Sequence, residues 1–226
     1  MKHLYKPSEI EQIQQDIPYL IQIKDWVENF LGTHHPNLGR PGPVCPCVPH
    51  ALKTNSIQMA VIRAKNFDQQ QVEEIVKSYR DLFLEADKES VSQAYILIFP
   101  DIPIAEATQL IDSVQRKLKP IFVTSGLMIG EFHSRNESPG LHNQNFRSLR
   151  SPIPLLAIRY MVEADLPFLQ SPDDPHLRIR YLEAYLKRFG YKLQDEPKIR
   201  DVYQTLALAK AEINGNIPLT ENHYPN

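Results

Sequence analysis

Two short stretches of this chain hold side chains that fit no packing role. The first, Gly39-Arg-Pro-Gly-Pro-Val-Cys-Pro-Cys-Val-Pro-His50, contains the chain's only cysteines, Cys45 and Cys47. A thiolate is both a nucleophile and a metal ligand. A disulfide across one intervening residue would be strained and is not expected in a reducing compartment. A zinc site needs four Cys or His ligands; His34, His35 and His50 flank the pair, but the spacings match no zinc module. A sharper alternative is one thiolate, on a rigid loop outside a sheet, facing a haem iron as axial ligand. Beside these stands plain packing of two free thiols, since cysteine also behaves as a small apolar residue.

The second stretch runs from Glu131 to Pro152 and is rich in groups that hold anions. Between 131 and 160, Arg135, Arg147, Arg150 and Arg159 face only Glu131 and Glu137, a local net charge of +2. Guanidinium forks bind carboxylates bidentately, so Arg147 and Arg150, three residues apart, suit two haem propionates or a substrate carboxylate. His133 and His142 add ligand or proton-transfer capacity. The plain alternative is a long surface loop whose arginines pair with acidic helices elsewhere.

These residues carry a resemblance. Gly39-Arg-Pro-Gly-Pro-Val-Cys-Pro46, Phe132-His133, Pro139-Gly-Leu-His-Asn143, Phe146-Arg147, Leu149-Arg-Ser-Pro152 and Leu156-Ala-Ile-Arg159 resemble a family of uncharacterised bacterial proteins. That family has a Pro-Gly-Pro-Val-Cys-Pro-Phe signature and a Gly-Leu-His-Asn…Phe-Arg-Pro-Leu-Arg-Ser-Pro block. The likeness spans about 38–170, and departs from the pattern at Cys47, where Phe is expected, and at Ser148, where Pro is expected. More distantly, the layout is similar to the guanitoxin-type haem-dependent N-oxygenases of the YqcI/YcgG group. That likeness implies a haem monooxygenase of secondary or amino-acid metabolism, acting on an amine or guanidine nitrogen and supplied by an electron donor. It implies Cys45 as the thiolate ligand of the iron, Arg147 and Arg150 on the propionates, and His133 as a further cofactor-binding residue. His142 and Asn143 would then line the distal or substrate side as catalytic residues.

The elements that must position these loops follow from periodicity. Ser8 and Glu11 have capping-box spacing, and apolar residues from Ile10 to Leu31 recur at helical intervals, with Pro18 predicting a kink or two short helices within 8–31. The stretch 32–49 holds five prolines and no period, and is expected to be a loop. Alternation predicts a strand over 56–63. Asp68 caps an amphipathic helix through Val72, Val76 and Phe83. The run Ala94-Tyr-Ile-Leu-Ile-Phe99 predicts a buried central strand, 104–118 a helix, 120–132 a strand broken at Gly126, and 154–162 a strand. Helices over about 174–189 and 197–212 close the chain before a frayed tail, ENHYPN.

The predicted fold class is α/β or α+β: a single mixed sheet covered by helices. It comprises an N-terminal helical segment (8–31), a sheet core (56–162), two long Pro-rich loops and a C-terminal helix pair (174–212), in one domain over 1–226. Nineteen prolines against eight glycines imply loops of fixed rather than flexible shape. A net charge of −2 and a pI near 6.4 argue against a general nucleic-acid binder. No apolar run is long enough to span a membrane, and the polar N-terminus lacks a signal-peptide pattern, so a cytoplasmic protein is expected. No phosphate loop, His-Glu-x-x-His helix or serine elbow promotes another enzyme class. The leading expectation is the haem-dependent oxygenase with a small-molecule substrate. Its rivals are a non-catalytic protein that holds an anionic ligand or partner on the basic loop, and a zinc-site protein built on Cys45 and Cys47.

Overall fold

The computed structural model describes residues 7–63, 65–86, 92–191 and 197–215. Seven α-helices and four strands are present among them: α1 (Pro7–Trp26), α2 (Val48–Lys53), β1 (Ile57–Val61), α3 (Gln69–Glu85), β2 (Ala94–Ile98), α4 (Ile104–Thr124), β3 (Leu127–Phe132), β4 (Leu155–Tyr160), α5 (Leu166–Gln170), α6 (Pro175–Phe189) and α7 (Pro197–Ile213). The strands form one sheet in the order β1-β2-β4-β3. β1 and β2 are parallel, joined through α3, while β2 and β4 are antiparallel with Ile96 opposite Ala157. The fold is therefore the predicted mixed sheet with helices.

The chain falls into two compact units. Unit 1 comprises Met1–Leu118 and Ile129–Tyr160; unit 2 comprises Lys119–Met128 and Met161–Asn226. In unit 1, period-two alternation divides the sheet residues between two faces. Ile96, Ile98 and Leu155 point into a core with Ile23, Val27, Leu31, Val48 and Phe146, so α1 and the Pro-rich loop cover this face. On the other face, Phe83 of α3 meets Tyr95 and Tyr160 edge-on at 4.8 and 5.0 Å. The Asp68 side chain accepts from the Gln71 N–H at 2.8 Å, and the Gln71 side chain caps in return, which starts α3 where the sequence places it. Unit 2 has its own core, in which Tyr181, Leu182, Tyr185 and Phe189 of α6 pack with Ile199, Val202 and Leu206 of α7.

Three local expectations differ from the structure. The helix α1 runs through Pro18 without a break. Proline removes one backbone donor, and the turns around it are pinned by Arg63, which pairs with Asp16 at 2.6 Å and lies 5.1 Å over the Tyr19 ring. The stretch 120–124, expected as strand, is the last part of α4. The apolar run Pro120-Ile-Phe-Val123 fits a helix face as well as a strand, and Gly126, at φ +76°, makes the turn that starts β3 at Leu127. The loop 32–49 gives way to α2 at Val48, and α5 follows β4; neither short helix is predicted. The side chains of the Ser8–Glu11 capping box and the C-terminal tail lie outside the described residues.

Candidate functional site: an aromatic pocket with an arginine rim

At its C-terminal end α1 widens into a π-helical turn, Val27–Leu31, closed by the Gly32 N–H donating to the Val27 carbonyl at 2.8 Å. Such turns shift the residues around them relative to a regular helix. Here Trp26 and Phe30 stack with centroids 6.1 Å apart, Trp26 meets Phe132 edge-on at 5.5 Å, and Phe30 lies 6.2 Å from Phe146. The Trp26 indole N–H donates to the Arg150 carbonyl at 3.1 Å, which ties the helix to the basic loop. The result is an open pocket of about 480 Å³ in unit 1, walled by Trp26, Phe30 and Phe146 and rimmed by Ser134, Asn145, Arg147 and Arg150.

The two rim arginines converge on one carboxylate. Arg147 Nε donates to Glu137 Oε2 at 3.1 Å, and Arg150 Nη2 pairs with Oε1 of the same residue. Arg147 Nη1 also donates to the Gln144 and Phe146 carbonyls, and Arg150 Nε to the Asn136 carbonyl at 3.2 Å. These backbone anchors hold both guanidinium planes at the pocket mouth. The hydrogen bond from Arg147, joined by that from Arg150, holds the Glu137 carboxyl below the usual carboxylate range, so it stays charged at pH values where a free glutamate would titrate. Glu137 is exposed, whereas its neighbour Asn136 is buried and accepts the Ser138 N–H on its side chain. The Glu137 carboxylate is thus carried by a fixed stretch of loop.

Cys45 lies on the same face of the sheet, packed against the α1-side core. A hydrogen bond from the Cys47 side chain brings its thiol down to about 6; burial opposes this, while the Arg159 charge and the Cys47 and Val48 backbone N–H groups assist. The balance of these contacts is toward the thiolate. Neither cysteine lines the pocket.

His133 is wholly buried and turns toward α4, where Nε2 lies 3.0 Å from Asp112 Oδ1. It does not line the pocket either. His142 is exposed, and its backbone packs against Gly39. Asn143 bridges the two sequence-flagged loops: its Nδ2 donates to the Asn37 carbonyl at 2.8 Å, and its Oδ1 accepts the Asn145 N–H. The structure therefore brings Arg147 and Arg150 together at a pocket and gives Asn143 a loop-bridging role. It leaves Cys45, His133 and His142 off the lining. Two of the three histidines near the cysteines are engaged otherwise: His34 Nδ1 contacts the Gly42 carbonyl, and His35 accepts the Asn37 N–H and lies 4.7 Å from the Phe146 ring. Among the described residues no group of three or more His, Cys, Asp or Glu side chains is arranged to hold a metal ion.

The pocket walls are what the sequence does not flag. Trp26 and Phe30 wear the period of an ordinary helix core, and only the π-helical turn and the return of the chain at Phe146 make them a site. The one available signal is that Trp26 is the chain's single tryptophan.

A family model described as Domain of unknown function (DUF6875) matches residues 20–200, a span that includes Trp26, Cys45, Glu137 and both rim arginines. No curated protein and no solved structure matches the chain.

Proposed function

The chain belongs to the DUF6875 family, and from its pocket we propose that it binds a small organic carboxylate with a flat apolar body. The observation that carries this reading is the convergence of Arg147 and Arg150 on one carboxylate at the mouth of an aromatic-walled pocket. Trp26, Phe30 and Phe146 offer ring faces and edges to the body of such a ligand, and the guanidinium groups offer planar forks to its anion. A volume of about 480 Å³ suits a small molecule. Equilibrium dialysis with benzoate, and with neutral benzamide as its counterpart, tests the reading. Benzoate is expected to be retained and benzamide not. Arg147→Ala and Arg150→Ala are each expected to weaken benzoate about tenfold, the scale of one charge-assisted hydrogen bond. Equal retention of benzoate and benzamide contradicts the reading.

A second reading, the haem-dependent N-oxygenase, draws on a different feature, the Cys45 thiol, whose Cys47, Val48 and Arg159 surroundings favour the thiolate. In that reading Cys45 would hold the iron, Arg147 and Arg150 would hold the propionates, and haem would supply oxygen activation when bound. The donor chemistry of Cys45 and of the two arginines suits such a group, but Cys45 does not line the pocket that the arginines rim, and His133, paired with Asp112, lies away from it as well. The absorption spectrum of the purified protein decides it. A Soret band that changes in Cys45→Ser supports it, and its absence after haem is supplied overturns it.

A further inference from the structure

The carboxylate already sitting on the rim is the protein's own. Glu137 places one oxygen on each arginine, Oε2 on Arg147 and Oε1 on Arg150, which is the arrangement a ligand carboxylate would adopt between two guanidinium groups. Its position is set by the loop rather than by burial. Asn136 immediately before it is buried, donates its backbone N–H to the His133 carbonyl at 3.1 Å, and accepts from Arg150 Nε on its own carbonyl. The Glu137 side chain itself is 68% exposed and has no hydrogen bond other than those from the two arginines among the described residues. Nothing in the packing requires the carboxylate to be there, while Arg147 and Arg150 keep their backbone carbonyl partners without it.

We propose that Glu137 is a built-in competitor for the carboxylate site: it occupies the Arg147–Arg150 pair in the free protein and swings into solvent when a ligand carboxylate takes its place. The inference rests on the reading of the pocket as a carboxylate site and adds how that site is gated and what it selects. The exchange replaces one carboxylate by another, so the charge balance of the rim is preserved for a monoanion. Neutral ligands, which cannot take over the two guanidinium groups, leave Glu137 in place. The site is therefore selective for ligands whose anion sits beside the ring, close enough for the ring to lie on Trp26 and Phe30 while the anion reaches both arginines.

Trp26 reports the exchange, since it is the single tryptophan and lines the pocket. Benzoate, acetate and benzamide are titrated into the full chain and into Glu137→Gln, with Trp26 emission as the readout. Glu137→Gln removes the charge, keeps the shape and lies on the surface, so folding is not at issue. Exposed ion pairs are individually weak, so removing the competitor is expected to tighten benzoate by about three- to tenfold. Benzamide is expected to be unaffected, and acetate to bind more weakly than benzoate in both proteins. Benzoate binding that is equal or weaker in Glu137→Gln overturns the competitor while leaving the carboxylate site standing. Failure of benzoate to bind either protein overturns the site itself, and the competitor with it.

Discussion

Cys45 shows how far a single side chain is set by its neighbours. Pro46 between the two cysteines and α2 starting at Val48 accompany a turn in which the Cys47 thiol and two backbone N–H groups approach its sulfur, with the Arg159 charge nearby. The sign follows from these contacts: each favours the thiolate, and together they outweigh burial, which favours the thiol. The alkylation rate of Cys45 by iodoacetamide, followed by peptide mass spectrometry, is therefore expected to rise through about pH 6 and level off before pH 8. An ordinary thiol would still be climbing there, with its midpoint near roughly 8.5. Cys47→Ala removes the hydrogen bond that does most to favour the thiolate and is expected to move the midpoint upward. A wild-type midpoint in the ordinary thiol range contradicts the assignment. Arg147 and Arg150 make the same point with opposite charge: their value lies in sharing one target.

At the scale of elements, the two irregular stretches act as one surface. Gly39 adopts φ +79°, and a Cβ there would stand 2.6 Å from the His142 carbonyl oxygen. Asn143 adds its hydrogen bond to Asn37 beside this contact. Gly39→Ala meets both a left-handed backbone and a backbone oxygen that cannot move aside, so a loss of about 1–3 kcal/mol is expected in urea denaturation. An unchanged midpoint would show that the two loops do not depend on each other. Elements whose signal is local were legible in the sequence. The run 94–99 has six apolar residues bounded by Pro100 and is the buried β2; Asp68 and Gln71 mark the start of α3. The end of α4 was not legible, because the three apolar residues after Pro120, Ile121 to Val123, serve a helix face or a strand equally. The site divides in the same way. Two arginines three residues apart could be read as a pair. Their meeting with Trp26 and Phe30 depends on a π-helical turn and on contacts between residues more than a hundred positions apart, and their sharing of Glu137 on how the loop between them folds back, neither of which spacing encodes. Asn143, read as catalytic through a resemblance, has its side chain engaged in joining loops.

At the scale of the whole molecule, the pocket, its arginine rim, Glu137 and Cys45 all belong to unit 1, carried by the sheet and α1. Unit 2 has a separate helical core and supplies none of these residues. The net charge of −2 gives no general attraction for anions. Any selectivity for a carboxylate must therefore come from the local geometry of two guanidinium groups. No described helix is long and apolar enough to cross a membrane. The most direct test uses the one tryptophan. In a ¹⁵N-labelled sample the Trp26 indole N–H is a single resonance, and its acceptor is the Arg150 backbone carbonyl, which survives substitution of that side chain. Titration with benzoate is expected to shift this resonance saturably in the wild-type protein. In the Arg147→Ala, Arg150→Ala double variant, with the remaining amide spectrum confirming the fold, the saturable shift is expected to be lost. The same saturable shift in both proteins, or none in the wild type, contradicts the account.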